Sequence, residues 1–183
     1  KKIRKAGFHA QDTAELFFED CRIPVANMLG NEGEGFKMLM TKLQQERLMC
    51  AVAAQASAEG ALEITLDYVK DRQVFGRSLS SFQNTQFVLA EVATEIQLGR
   101  SLVDQLVLQH MAGKNIVQEV SMAKYWITEM DNRISSRCLQ LFGGYGYCDE
   151  YKISRMWCDS RIQSIFAGTS EVMKMIISRG MGL

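Results

Sequence analysis

Residues 36–72 read FKMLMTKLQQERLMCAVAAQASAEGALEITLDYVKDR, and this stretch decides the fold of the chain. It contains no proline, and alanine, leucine, methionine, glutamine and glutamate, which are strong helix formers, dominate it. Gly60 is its only internal weak point, and Gly76 follows just beyond its basic end, where helices commonly stop. The stretch therefore predicts one long helix from about Phe36 to Arg72.

An apolar stripe runs along the first half of this predicted helix. Leu39, Leu43, Cys50 and Ala53 recur at helical spacing, and Glu46 lies three residues after Leu43 within the same stripe. A carboxylate on a buried face is costly unless it is paired or used, so we expect Glu46 to be a base held away from water. The alternative, an ordinary helical glutamate at the edge of the stripe, stays open on periodicity alone.

The rest of the chain outward from this stretch predicts more helices. A second helix follows the polar turn at 78–81 and reaches Met111, a third covers Ile116 to about Phe142, a shorter one lies around 151–164, and the last begins at Ser170. Long helices joined by short turns predict an all-α, antiparallel up-down bundle. Residues 13–23, which end before the only proline, indicate the end of a strand-rich region, so we expect a domain boundary between 1–30 and 31–183.

Composition excludes several classes of protein. The 183 residues carry 21 basic and 21 acidic side chains, so no overall basic field attracts nucleic acid, and no apolar run is long enough to span a membrane. Five scattered cysteines without a C-x-x-C pair indicate reduced thiols. With only two histidines we expect no metal site, and acid–base chemistry would fall to carboxylates.

Four stretches in this order resemble the acyl-CoA dehydrogenase family: AQDTAELFFEDCRIP at 10–24, DRQVFGRSLSSFQNTQ at 71–86, CLQLFGGYGY at 138–147 and IFAGTSEVMKMIISR at 165–179. The resemblance covers essentially the whole chain. It implies the C-terminal helical domain of that family, preceded by a short strand remnant of the middle β domain, and FAD as cofactor.

The resemblance also implies which residues contact FAD. Arg72 and Gln83 would bind the FAD of a neighbouring subunit; the dinucleotide end would be wrapped by Gln140, Leu141, Phe142, Gly143 and Gly144; and Thr169, Ser170 and Glu171 would bind the cofactor at the start of the last helix. Each stretch also has a ligand-free interpretation: an arginine on helix-end carbonyls, a C-cap at Gly143, and an N-cap at Thr169.

The position before Gly168 decides the catalytic residue. Most of the family carries its glutamate base there, whereas this chain has Ala167, which cannot abstract a proton. The long-chain and isovaleryl subgroups carry the base on the earlier helix in a Glu-Arg-Leu context, and residues 45–48 of this chain read QERL. The resemblance therefore implies Glu46 as the base. It implies a substrate-binding set of Gln44, Gln45, Arg47, Ala167 and Gly168, with Arg47 near the CoA portion.

The implied reaction is the α,β-dehydrogenation of an acyl-CoA thioester in fatty acid β-oxidation, with a long acyl chain favoured. The implied partners are the acyl-CoA, an electron-transfer flavoprotein and further copies in a homotetramer (a dimer of dimers), and the implied compartment is the bacterial cytoplasm or the mitochondrial matrix. Three alternatives stay open: an isovaleryl-type enzyme, an acyl-CoA oxidase or nitroalkane-oxidising relative, and an oligomerisation module that binds nothing by itself.

Overall fold

A computed structural model describes residues 2–183, which form a helical bundle with one short hairpin. Its elements, in chain order, are α1 (Gly35–Asp71), β1 (Gln73–Val74), β2 (Arg77–Ser78), α2 (Gln83–Met111), α3 (Val117–Phe142), α4 (Lys152–Gln163) and α5 (Ser170–Gly180). Short 3₁₀ helices cover Val25–Asn27, Leu79–Ser81 and Gly143–Tyr147. The five predicted helices and the all-α bundle are confirmed.

The long helix α3 is the centre of the bundle. It packs along α1 and also contacts α2, α4 and α5. Its buried face carries the apolar residues Val120, Ala123, Ile127, Met130 and Ile134, which are fully buried. Because these residues recur every three or four positions, one side of α3 faces the core over the whole length of the helix.

The buried face of α1 differs from the predicted stripe. The helix buries a row of small residues against its neighbours, namely Ala51, Ala54, Ala58 and Ala61, which lets the helix axes approach closely. Leu39 is 68% exposed, and Glu46 and Ala53 are also exposed. The prediction that Glu46 lies on a buried face is therefore wrong for this chain. Alanine is only weakly apolar, so the pattern of larger leucines predicts a buried face that differs from the alanine face observed.

A tight hairpin separates α1 from α2. Its register pairs Gln73 with Ser78, and Val74 with Arg77. Phe75 and Gly76 form the two-residue turn, and both have positive φ, 50° and 76°. This is the combination that a type I′ turn requires, and it fits the twist of the two flanking strands. The sequence by itself predicts only a polar turn at 78–81.

The N-terminal segment has little regular structure. One isolated antiparallel bridge joins Lys2 to Ala14, and the N–H of Ile3 donates to the carbonyl of Thr13 at 2.9 Å. Residues 15–23 make no further strand pairing within residues 2–183. Large apolar side chains here are exposed, namely Leu16, Phe17, Phe18, Ile23, Val25 and Leu29. The predicted strand remnant is therefore reduced to one bridge, since a strand needs a neighbour to complete its hydrogen bonds.

Two further findings bear on chemistry. None of the helices in residues 2–183 is both long and apolar enough to cross a membrane. All five cysteines are free, and the described residues contain no cluster of three metal-binding side chains.

Candidate functional site

The turn between α4 and α5 has an unusual backbone. Ala167 has φ 53° and Gly168 has φ 105°, so two consecutive residues have positive φ. Glycine adopts such values without strain, whereas alanine does so at a cost of about 1 kcal/mol or more. The surrounding contacts must therefore hold the turn in place.

Two cations from neighbouring helices hold this turn. Arg47 on α1 donates from Nε to the carbonyl of Ala167 at 3.3 Å, and Lys124 on α3 donates from Nζ to the carbonyl of Gly168 at 2.6 Å. Arg47 is buried, and Lys124 has no exposed surface. The two helices thus fix two successive carbonyls of the turn by charge-assisted hydrogen bonds.

Burial controls the electrostatics around the turn. Loss of water lowers the pKa of Lys124, and the neighbouring Arg47 lowers it further, while the acidic neighbours Glu129 and Glu171 oppose the change. Burial also lowers the pKa of Arg47, against the attraction of Glu46. Burial raises the pKa of the Cys50 thiol, although Lys124 opposes this. The site is therefore a patch beneath the turn that combines the two buried cations Arg47 and Lys124 with acidic neighbours.

The predicted base lies beside this patch and is open to solvent. Glu46 precedes Arg47 on α1, and its charge acts on both Arg47 and Cys50. Its side chain is exposed in this chain, as is that of Gln45. Arg47 contacts Ala167 directly, so Glu46 precedes, on α1, a residue that contacts the turn where the resemblance places the base of most family members.

Gln44 has a structural position that the sequence did not predict. Its Oε1 accepts from the N–H of Ile116 at 2.9 Å, and its Nε2 donates to the carbonyl of Lys114 at 3.1 Å. Nε2 also lies 3.2 Å from Nδ1 of His110. Both ends of this amide are thus occupied by the turn between α2 and α3, so the structure does not support a direct contact of Gln44 with substrate.

The start of α5 has the predicted cap. Oγ1 of Thr169 accepts from the N–H of Val172 at 3.3 Å, which confirms Thr169 as the N-cap. The hydroxyl of Ser170 donates to the carboxylate of Glu129 at 2.6 Å, so this hydroxyl is used inside the bundle. Glu171 is exposed, and hydrogen bonds from its own N–H and from the side chain of Thr169 lower its pKa.

A separate groove lies at the other end of α3. It has a volume of about 510 Å³ and is lined by Tyr68, Arg72, Val74, Leu79, Tyr145, Cys148 and the predicted residues Gln140, Leu141, Phe142, Gly143 and Gly144. The guanidinium of Arg72 lies 5.3 Å from the ring centroid of Tyr145 and makes no ion pair within residues 2–183. The structure therefore brings Arg72 together with the glycine turn in one groove.

The groove fits a planar, anionic cofactor such as FAD. A Cβ added at Gly143 or Gly144 would meet no atom within 4 Å, so the backbone of this turn is open to a ligand. Arg72 offers an unpaired cation that can pair with phosphate. The ring of Phe142 does not face a ligand, because it is buried and stacks on Tyr68 with centroids 4.0 Å apart.

The two candidate sites are far apart on one chain. Lys124 lies under the 167–169 turn, whereas Gln140 lines the groove, and the two residues are separated by roughly 24 Å along the axis of α3. Gln83 is exposed at the first residue of α2 and is not among the residues that line the groove. The predicted cofactor residues thus fall into two groups on different surfaces.

Sequence reasoning missed Lys124 and most of the groove walls. Lys124 stands in the stretch SMAKYW, next to Ala123 and three residues before Ile127 on the buried face of α3. A lysine at a core position is a signal that periodicity could have provided. Tyr68, Val74 and Leu79 come from three elements, so no local pattern could have brought them together.

Comparison with known proteins gives concordant results. Residues 33–182 match the family described as acyl-CoA dehydrogenase, C-terminal domain. The mitochondrial long-chain specific acyl-CoA dehydrogenase of Sus scrofa is 45% identical over 98% of this chain and 42% of that protein. The acryloyl-CoA reductase (NADH) of Anaerotignum propionicum is 39% identical over 96% of this chain and 44% of that protein.

Solved structures agree with the sequence relatives. The crystal structure of an acyl-CoA dehydrogenase from Geobacillus kaustophilus superposes with a TM-score of 0.98 and 56% identity, over all of this chain and 48% of that chain. This chain therefore spans less than half the length of the relatives that it matches.

Proposed function

Since the chain belongs to the acyl-CoA dehydrogenase family, whose C-terminal domain matches residues 33–182, we propose that it forms the helical half of an FAD-dependent enzyme. The reaction is the α,β-dehydrogenation of an acyl-CoA thioester in fatty acid β-oxidation. The curated relative of Sus scrofa is long-chain specific, which supports a long acyl chain as substrate.

Glu46 is the proposed catalytic base that removes the proton from the carbon next to the thioester carbonyl. One observation supports this assignment: Arg47, which follows Glu46 on α1, hydrogen-bonds the carbonyl of Ala167 at 3.3 Å. Ala167 has no ionisable group, so we propose that the carboxylate of Glu46 acts on the substrate in its place. The side chain is exposed here, and we propose that the middle domain present in the longer relatives covers it and excludes water.

The polar groups of the 167–169 turn bind the thioester. A negative charge develops on the thioester oxygen as the proton leaves, and a backbone N–H held in a fixed orientation stabilises that charge without reorganisation. We assign this role to the N–H of Ala167. Gly168 and Gln45 border the same surface, whereas Gln44 is left out because its amide is occupied.

Arg47, the predicted contact with the CoA portion, has a further role that its position supports. Its guanidinium is buried under the turn and bonds the carbonyl of Ala167. It therefore orients the turn from inside the bundle.

Arg72, Gln140 and the Gly143–Gly144 backbone would hold FAD, as would Thr169 and Glu171 from the second surface. Bound FAD would accept the hydride that leaves the β carbon. Leu141 remains a proposed contact in the groove, and Gln83 remains a proposed contact at the start of α2. Ser170 supports the turn through Glu129.

Partners and compartment follow from the family. Because the two cofactor surfaces lie roughly 24 Å apart along α3, we propose that one FAD is bound between two copies, in a homotetramer built as a dimer of dimers. An electron-transfer flavoprotein would reoxidise the enzyme. The compartment is the mitochondrial matrix for a eukaryotic protein and the cytoplasm for a bacterial one.

The test is the substitution Glu46→Gln in the enzyme that contains this chain, with Glu63→Gln on the exposed side of α1 as matched control. Loss of a general base should lower kcat by about 10²- to 10⁴-fold with an artificial electron acceptor, while flavin absorbance is retained. The control should keep wild-type turnover. Adding Ala167→Glu to Glu46→Gln should restore part of the rate, because it returns a carboxylate to the turn.

Other outcomes would change the proposal. Full activity of Glu46→Gln would exclude this base. Turnover with oxygen as the only acceptor would favour an oxidase, and a preference for short branched chains would favour an isovaleryl-type enzyme. A wild-type protein that assembles but binds no flavin would instead act as an oligomerisation module, for which the exposed Leu16, Phe17 and Phe18 would supply contact surface.

A further inference from the structure

Lys124 is a buried cation that the proposed reaction does not use. It has no exposed surface and lies on the apolar face of α3, between Val120 and Ile127. Burial of an ammonium group costs several kcal/mol unless hydrogen bonds compensate for the lost water, so an apolar residue would be the cheaper choice for stability alone. We therefore look for the role of Lys124 in the group to which it is hydrogen-bonded.

Lys124 is not held there by an ion pair. The charged or ionisable groups that act on it are Cys50 and Arg47 on α1, Glu129 on α3 and Glu171 on α5, and none of them forms an ion pair with it within residues 2–183. Within residues 2–183, the ammonium group of Lys124 donates its hydrogen bond to the carbonyl of Gly168 at 2.6 Å. The interaction of Lys124 is therefore with the backbone of the turn.

The anchored carbonyls determine where the neighbouring N–H groups point. In a trans peptide unit, the carbonyl and the following N–H point in opposite directions, and this chain has no cis peptide bond in residues 2–183. Arg47 draws the carbonyl of Ala167 toward the bundle, so the N–H of Gly168 points away from it. Lys124 draws the carbonyl of Gly168 toward the bundle in the same way, so the N–H of Thr169 also points away from it.

These outward N–H groups are free. Within the described chain, the N–H groups of Gly168 and Thr169 donate to no backbone or side-chain acceptor, whereas the N–H of the next residue, Ser170, donates to the carbonyl of Ser164 at 3.1 Å. Two adjacent, fixed and unpaired donors at the start of a helix form a concave site for an oxygen atom that carries negative charge.

We propose that Lys124 is a positioning residue that, together with Arg47, anchors the carbonyls of the 167–168 turn and so directs the N–H groups of Gly168 and Thr169 to an anionic oxygen of the bound ligand. This inference rests on the proposed function. The oxygen belongs either to the reacting thioester, where these donors would act together with the N–H of Ala167, or to a phosphate of the cofactor, and the test distinguishes the two sources.

The test compares wild-type enzyme with Lys124→Met, which removes the ammonium but keeps a side chain of similar length. Lys152→Met is the matched control, because Lys152 is exposed at the start of α4 and makes no hydrogen bond or ion pair within residues 2–183. The first readout is a crystal structure of each variant. In Lys124→Met we expect the Gly168 carbonyl to turn away from α3 and φ of Gly168 to leave the region near 105°.

Two further readouts identify the oxygen. If it belongs to the thioester, kcat at saturating FAD falls about tenfold, and the carbonyl stretching frequency of a bound ¹³C-labelled acyl-CoA moves toward its value in water. If it belongs to the cofactor, the dissociation constant of FAD from the apoenzyme rises about tenfold instead. Lys124→Gln should recover part of either loss, because its amide can still donate to the Gly168 carbonyl.

The outcomes separate this inference from the proposed function. An unchanged turn in Lys124→Met, with unchanged kcat and FAD affinity, would overturn the inference. A turn that moves in an enzyme whose wild type does not oxidise acyl-CoA would refute the proposed function and leave the inference standing. If Lys124→Met does not fold, Lys124→Gln is the deciding variant. A displaced turn in Lys124→Gln, combined with wild-type kcat, FAD affinity and carbonyl frequency, would also overturn the inference.

Discussion

Asp131 is the carboxyl group whose pKa is shifted strongly by its position in this molecule. It is fully buried on α3, where it accepts hydrogen bonds from Nε2 of Gln163 at 2.9 Å and from the hydroxyl of Ser135 at 3.3 Å. Burial raises its pKa from 3.8 to about 7, although the hydrogen bonds from Ser57, Ser135 and Gln163 act in the opposite direction. Three helices thus meet at a carboxyl group that prefers to be neutral.

This residue predicts a pH dependence of stability. Between pH 4 and pH 7 the folded chain holds a proton on Asp131 that the unfolded chain has released, so the free energy of unfolding should decrease as pH rises through this window. Above pH 7 the contribution should be constant. The difference amounts to at most about 4 kcal/mol. Urea unfolding at half-unit pH intervals measures it.

The matched variants are Asp131→Asn and Glu63→Gln. Asparagine is neutral at every pH, and Oε1 of Gln163, which is unpaired within residues 2–183, can accept from its amide. Asp131→Asn should therefore lose the decrease between pH 4 and 7 and should be more stable than wild type at pH 8. Glu63→Gln, at an exposed position, should keep the wild-type slope. An equal slope in wild type and Asp131→Asn would contradict the prediction.

At the scale of the element, the contact between α1 and α2 depends on a glycine. Gln55 on α1 is fully buried and donates from Nε2 to the carbonyl of Ile96 at 2.9 Å and to Glu59 at 2.8 Å. Glu59 in turn pairs with Arg100 on α2 at 2.5 Å. A Cβ added at Gly99 would lie 2.2 Å from Oε1 of Gln55, so the helices approach closely at this point.

Two glycine-to-alanine substitutions should therefore have opposite effects. In Gly99→Ala, Gln55 must move and lose a buried hydrogen bond, which should lower the free energy of unfolding by about 1–3 kcal/mol. In Gly60→Ala, the nearest atom to the new Cβ is Cε of Met156 at 3.5 Å, an ordinary contact. The helix should then gain about 0.5–1 kcal/mol, because alanine is the better helix former.

Chemical denaturation of both variants under one condition checks this pair. Equal stabilisation by both substitutions would mean that the contact between α1 and α2 at Gly99 can accommodate a methyl group. Equal destabilisation would mean that Gly60 has a packing role that the geometry does not indicate.

At the scale of the whole molecule, the two surfaces proposed to bind the cofactor lie apart on one chain. The groove near Arg72 and the turn near Thr169 lie at opposite ends of the interface that α3 makes with its neighbours. A symmetric dimer would bring the groove of one copy to the turn of the other and would form two equal sites.

A mixing experiment tests this arrangement. Arg72→Ala removes the groove cation and Glu46→Gln removes the base, so each variant alone should be inactive. In mixed dimers one of the two sites combines an intact groove with an intact base, so a random mixture should recover about a quarter of wild-type activity. The rate of dehydrogenation after joint refolding or co-expression measures the recovery.

The control mixes Glu46→Gln with the double variant Glu46→Gln/Arg72→Ala, in which no site can be complete. It should show no recovery. Inactivity of the first mixture, with mixed oligomers demonstrated by affinity tags, would indicate that each copy binds its cofactor within a single chain.

The helices could be predicted because their signals are local. Helix propensity, the glycine after α1 and the cap at Thr169 act over a few residues, and the predicted helix ends agree with the structure within two residues or fewer. The core face of α3 is also marked in the sequence, because large apolar residues recur along it. The buried face of α1 was predicted wrongly, because its helix contacts are made by alanines and the larger side chains of its first turns stay exposed.

The sequence by itself determined the family, the five helices and the candidate base, because motif residues and helix signals are written in short stretches. The tertiary structure decided which side chains are dry. It placed Lys124 and Arg47 under one turn, occupied the amide of Gln44 and separated the groove near Arg72 from the 167–169 turn. The physical reason is that desolvation and hydrogen-bond partners depend on residues far apart in the chain, which only the packing of α1, α3 and the 167–169 turn brings together.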